Sequence, residues 1–273
     1  DTLFSLYEKT FTPWEWHKEI KEYAESLGLI FFSSPFDISS VDFLEDLDVP
    51  CYKVASPEIT DIPLIKYVAS KKKPIIISTG LATFKDIDLA VETCREESND
   101  QIILLKCASS YPTSFSETEL NMLYEFKSRY NCIVGLSDHS LSNIPAISAV
   151  AMGGCIIEKH FKLNDSPVTP DSKFSLNELE FGKLVRDIRN TEETIKVGNF
   201  IDSNKMKTLS DFRRSLFIVK NVNKDEVISY ENVKSIRPGH GLHPKFLSKI
   251  VGKKFNNDIE AGTPLKEEDI QNF

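Results

Sequence analysis

Two of the five histidines, His139 and His160, stand 21 residues apart, each directly after a short apolar run. If those runs are neighbouring parallel strands, the imidazoles lie side by side at the strands' C-terminal ends. Two neutral imidazoles can hold a divalent cation and leave positions open for water and substrate. Asp138, beside the first of them, either orients or joins such a site or caps the helix that follows. Lys53 lies inside an otherwise apolar run, and a lysine directed into a barrel needs an anionic partner. With Ser56, Ser78, Ser109 and Ser137 it forms a cradle for phosphate or carboxylate. The rival role is a Schiff-base lysine, open to Lys53 and to Lys106. Glu58, just past the same run, is a general acid or base, or a solvated loop carboxylate. Arg237 opens the loop Arg237-Pro238-Gly239-His240-Gly241, where it presents a fork to a substrate or simply occupies an exposed turn.

The elements that must position these groups repeat regularly. Apolar runs begin at Leu29, Cys51, Pro74, Ile102, Cys132 and Gly154, with spacings of 22, 23, 28, 30 and 22 residues. They are continuous rather than alternating, as parallel strands covered on their outer face are. Between them, Thr12-Pro13-Trp14-Glu15, Thr83-Phe84-Lys85-Asp86 and Ser175-Leu176-Asn177-Glu178 read as helix starts. Each run ends in polar residues, and C-terminal strand ends of such sheets converge on the catalytic face. No GxGxxG follows the first run, so a (β/α) barrel is favoured over a dinucleotide-binding sheet. Residues 198–211 read as a linker, and 212–273 as a small, mostly β domain.

Composition narrows the function. Thirty-three basic against 41 acidic residues give a net charge of −8, which argues against general nucleic-acid binding. No apolar run is long enough to span a bilayer, and no signal peptide is evident at the start. Five widely spaced cysteines suggest neither a disulfide framework nor a zinc site, and a reducing cytoplasm is expected.

Several stretches are similar to the sialic acid (nonulosonate) synthases: SSPFD at 33–37, YKVASPEITDIPLI at 52–65, KPIIISTGLAT at 73–83, LLKCASSYP at 104–112, GLSDHS at 135–140 and GGCIIEKHF at 153–161. The stretch at 215–242 resembles that family's antifreeze-like (SAF) domain. LYEKTFTPWEWH and VTPDSKFS look most like the pseudaminic acid synthase branch. Neuraminic and legionaminic acid synthases carry Gly-Pro-Asp-His where Thr169-Pro170-Asp171-Ser172 stands, and Ser109 replaces an asparagine common in neuraminic acid synthases.

The resemblance implies condensation of phosphoenolpyruvate with an N-acetylated amino sugar and water, releasing phosphate. The sugar expected for this branch is 2,4-diacetamido-2,4,6-trideoxy-altrose. The alternatives are N-acetylneuraminate or legionaminate synthesis and, from another class, a noncatalytic sugar-binding fragment. It further implies Mn²⁺ or Mg²⁺ on His139 and His160, with Glu58 assisting proton or water chemistry. Lys53, Ser56, Ser78, Ser109 and Ser137 would form the phosphoenolpyruvate pocket, with Tyr111 and Asp171 at the sugar. Arg237 would reach the active site of a partner subunit in a domain-swapped homodimer.

The fold expected is therefore α/β: a (β/α)8 TIM barrel over residues 1–197, followed by the SAF domain. A closed barrel needs eight strands in typically about 250 residues. Six runs in 1–197 lead to the expectation that the first two strands are missing from this chain, and with them a sugar-binding glutamate and a second phosphate-binding lysine.

Overall fold

The computed structural model describes residues 11–164, 168–196 and 209–273. The chain divides into two units, Asp1–Lys196 and Val197–Phe273. Most of the predicted linker at 198–211 lies outside the described residues.

In the first unit, α1 (Trp14–Ser26) and α2 (Ile38–Asp46) precede a five-stranded parallel sheet. The strands are β1 (Tyr52–Val54), β2 (Ile75–Ser78), β3 (Ile102–Cys107), β4 (Ile133–Asp138) and β5 (Ile156–Lys159), in sequential order. The helices α3 (Ile62–Ser70), α4 (Phe84–Glu96), α5 (Met122–Tyr130) and α6 (Ile144–Ala151) connect them, and α7 (Glu178–Ile195) follows. This is the strand–helix alternation of a (β/α) barrel, curled into a half-barrel.

Alternation along each strand sorts the side chains. Tyr52, Val54, Ile75, Ile77, Ile102, Leu104, Val134 and Leu136 face outward and join the core formed with the helices, including Leu64, Val68, Val91 and Phe126. The intervening positions Lys53, Ser78, Cys107, Ser137 and Glu158 face the concave side, in keeping with their period of two. Both faces are covered over much of the sheet, which is why the strands read as continuous apolar runs.

Three expectations need correction. The apolar run at 29–34 forms no strand. It has no ladder partner among the described residues, and Leu29 and Ile30 are 60% and 75% exposed. An apolar run specifies burial, but a strand also needs a neighbour, and among the described strands β1 pairs only with β2. At the start of α1, Pro13 rather than Thr12 occupies the capping position, without a side-chain cap. The last helix starts later than read, because Asn177 forms a capping box with Glu180. The start at Thr83 holds: its hydroxyl accepts from Asp86 N–H while the Asp86 carboxylate accepts from Thr83 N–H.

The second unit pairs β6 (Ser215–Ile218) with β7 (Val233–Ile236) in antiparallel fashion, followed by the short α8 (Leu247–Ile250). Leu216, Ile218, Val222, Ile228, Val233, Phe255 and Leu265 form its own buried core. Gly241 is required by a close approach, since a Cβ there would lie 2.3 Å from the Leu216 carbonyl oxygen.

Candidate active site

The concave face and the C-terminal strand ends of the first unit bring most of the candidate residues into three adjoining groups. The first crosses the sheet. Lys53 Nζ on β1 lies 3.5 Å from Glu158 Oε2 on β5, and Ser137 Oγ donates to Glu158 Oε1 at 2.6 Å. Lys53 is buried. Burial of an ammonium requires this kind of compensation, and the carboxylate supplies it. Glu58, in the turn after β1, feels the Lys53 charge, but burial dominates and pushes its carboxyl above the ordinary range. Its Oε2 is buried without a hydrogen-bond partner, as is Ser78 Oγ at the end of β2.

The second group surrounds Gly80. Its N–H donates to Ser56 Oγ at 3.0 Å. A Cβ built on Gly80 would come within 2.7 Å of Ser109 Oγ, 2.9 Å of Cys107 Sγ and 3.0 Å of Ser56 Oγ. Glycine therefore keeps open a small space edged by two hydroxyls and a thiol.

The third group holds the imidazoles. The His139 and His160 rings are 5.2 Å apart between centroids. His139 Nδ1 donates to the Ala108 carbonyl at 3.2 Å, and His160 Nδ1 lies 3.5 Å from Asp171 Oδ2. Burial lowers the proton affinity of His139, with a smaller contribution from the neighbouring His160. Tyr111 packs on His139 with ring centroids 4.4 Å apart, and Phe174 packs against Tyr111 and both histidines. Burial, followed by the nearby thiol and carboxylates, raises the Tyr111 phenol above its usual range.

The donor set fits a divalent cation. Each imidazole has an oxygen acceptor at Nδ1, which orients the ring and leaves Nε2 for a metal, and burial favours the neutral, ligating form of His139. Among the described residues, no group of three or more His, Cys, Asp or Glu side chains gathers as a metal cluster. The remaining ligands would thus be water and substrate oxygens.

The structure turns Asp138 and Lys106 away from this mouth. Asp138 points to the opposite face and pairs with Lys159 at 2.6 Å. Lys106 faces outward beside Leu104 and Leu136 and pairs with Glu119 at 3.0 Å, which removes it as a Schiff-base candidate. Arg237 belongs to the second unit, at the end of β7. Its loop is pinned by Ser215, whose hydroxyl donates to the Pro238 carbonyl at 2.7 Å and accepts from Gly241 N–H at 2.8 Å.

Glu158 and Phe174 are the residues that the sequence reading passed over. Glu158 had a usable signal, since two residues before His160 in a strand means the same face. Phe174 had none, because it reaches the histidines from the segment between β5 and α7.

A curled parallel sheet with a buried lysine, serines and paired imidazoles at its strand ends is the arrangement of a (β/α)-barrel enzyme. The chain belongs to the NeuB family, whose model matches residues 1–200, and a SAF domain follows at 213–271. It is 43% identical over 269 residues to a protein named pseudaminic acid synthase from Campylobacter jejuni, covering 98% of this chain and 78% of that one. It is 36% identical over 260 residues to an N,N'-diacetyllegionaminic acid synthase from Legionella pneumophila, covering 93% and 73%. Among solved structures, the spore coat polysaccharide biosynthesis protein spsE of Bacillus subtilis matches with a TM-score of 0.65 and 30% identity, covering 99% of this chain and 81% of that one.

Proposed function

We propose that the chain condenses phosphoenolpyruvate with 2,4-diacetamido-2,4,6-trideoxy-altrose and water to give pseudaminic acid and phosphate. The observation that carries this reading is the 43% identity, over 98% of the chain, to a pseudaminic acid synthase. The concave cluster supports it chemically. Lys53, with the hydroxyls of Ser56, Ser78, Ser109 and Ser137, offers a cation and donors to the phosphate and carboxylate of phosphoenolpyruvate. Glu158 keeps Lys53 and Ser137 in place before substrate arrives.

In this reading, C3 of the enolpyruvyl group bonds to the aldehyde carbon of the open sugar, whose oxygen takes up a proton. Water adds at C2, and the C2–O bond breaks so that phosphate leaves with the bridging oxygen. Mn²⁺ or Mg²⁺ held by His139 and His160 would supply Lewis-acid polarisation of the aldehyde. Glu58, whose carboxyl burial makes a weaker acid and whose Oε2 has no hydrogen-bond partner, exchanges a proton with the reacting water or oxygen. Tyr111 and Asp171 flank the histidines, where the sugar would sit. Arg237, on its pinned loop, is assigned to the sugar in the site of a second subunit, which makes the working form a domain-swapped homodimer. The compartment assigned is the cytoplasm, where phosphoenolpyruvate is made and free thiols persist. The test is phosphoenolpyruvate labelled with ¹⁸O at the bridging position. C–O cleavage delivers the label to phosphate, whereas label retained in the sugar acid contradicts this route.

A further inference from the structure

We propose that the buried Asp138–Lys159 ion pair is a positioning device that fixes the imidazoles of His139 and His160 at their cation-binding separation. The inference rests on the reading of those histidines as metal ligands. The two side chains are 0% and 1% exposed, and they pair at 2.6 Å across the register of β4 and β5, where Asp138 stands opposite Lys159. They lie on the opposite face from Ser137 and Glu158, so neither touches substrate.

Each immediately precedes a histidine. Asp138 Oδ1 also accepts from Ser140 N–H at 2.9 Å, and Lys159 Nζ also donates to the Ser140 carbonyl. The carboxylate thus closes a turn around His139, and the ammonium from the next strand grips that same turn. The backbone is anchored on both sides of His139, and the anchor is the residue that leads into His160. Displacement of one strand end therefore carries the other with it.

Energetics favour a role other than stability. Removing two charges from water costs several kcal/mol per ion, and well-packed apolar residues commonly serve as well or better. Apart from Lys106, the outer face of this sheet carries many such residues, including Leu136 and Ile157 on the same strands. What the pair adds over an apolar contact is a fixed direction and distance between two chain segments.

The test is the double variant Asp138→Asn/Lys159→Met in the 273-residue chain, which removes both charges together and leaves no orphaned ion. Mn²⁺ affinity is read from the electron paramagnetic resonance signal of free Mn²⁺, and folding from the melting temperature. Lys106→Met/Glu119→Gln, which removes an outer-face pair distant from either histidine in sequence, is the control. The expected result is an unchanged or raised melting temperature with Mn²⁺ affinity weakened by about 10- to 100-fold, the usual effect of losing outer-shell support. The control should keep parental affinity. Parental affinity in the Asp138/Lys159 variant, equal weakening in the control, or failure of the double variant to fold would each overturn the proposal. If the parent chain itself binds no Mn²⁺, the metal reading falls, and this inference with it.

Discussion

Lys53 and Glu158 face each other at 3.5 Å although three strands separate theirs in the sheet. A flat sheet holds its first and fifth strands far apart, at nearly 5 Å per step, so the contact requires the sheet to curl. Curling brings a cation from the first strand and a carboxylate from the last over one concave surface. The Lys53–Glu158 contact is therefore a property of the barrel curvature rather than of any single strand.

Replacing Lys53 by Met should raise the KM for phosphoenolpyruvate by about 10- to 100-fold, the worth of a hydrogen bond to a charged group. The KM for the sugar should stay within about twofold. Initial rates with each substrate varied in turn will check this. A change confined to the sugar would assign Lys53 elsewhere.

At Gly80, an Ala methyl would fill the space between Ser56, Cys107 and Ser109. Gly80→Ala should leave folding nearly unchanged, since the displaced atoms are side-chain tips, but weaken phosphoenolpyruvate binding by at least about tenfold. Isothermal titration beside a melting curve separates the two effects. Unaltered binding would show that the cradle is not used.

Much of this arrangement was legible in the sequence. Runs such as PIII and IILL announce strands covered on both faces, and the strand-end histidines mark the catalytic side. The run at 29–34 misled because its apolar residues say nothing about a pairing partner. Glu158 was readable only by carrying the strand alternation through to His160. Its contact with Lys53 was not readable, because it depends on the curvature of the whole sheet.

Glu58 yields a prediction about pH. Burial raises its native pKa above the ordinary 4.5, so the folded chain holds this proton more tightly than the unfolded chain does. Its contribution to stability is fully present below pH 4.5 and is lost as pH rises through the raised native value. Glu58→Gln should therefore melt with the parent at low pH and above it at higher pH. Turnover should fall by about 100- to 10,000-fold, the range for a positioned acid or base. Melting curves across the pH range test the sign, and a gap that does not vary with pH would contradict it.

The proposed exchanged-domain dimer predicts complementation. His139→Ala and Arg237→Ala should each be nearly inactive alone. After co-refolding in equal amounts, mixed dimers should hold one intact site, and about a quarter of parental activity should return. No recovery in mixtures shown to contain mixed dimers would assign Arg237 to the site of its own subunit or to none.

The most direct test of the central claim is phosphate release from phosphoenolpyruvate with Mn²⁺ and one sugar at a time. The account predicts rapid release with 2,4-diacetamido-2,4,6-trideoxy-altrose, formation of pseudaminic acid, and little release with N-acetylmannosamine or the diacetamido mannose analogue. Preference for either of those sugars, or no sugar-dependent release with any of the three, would contradict it.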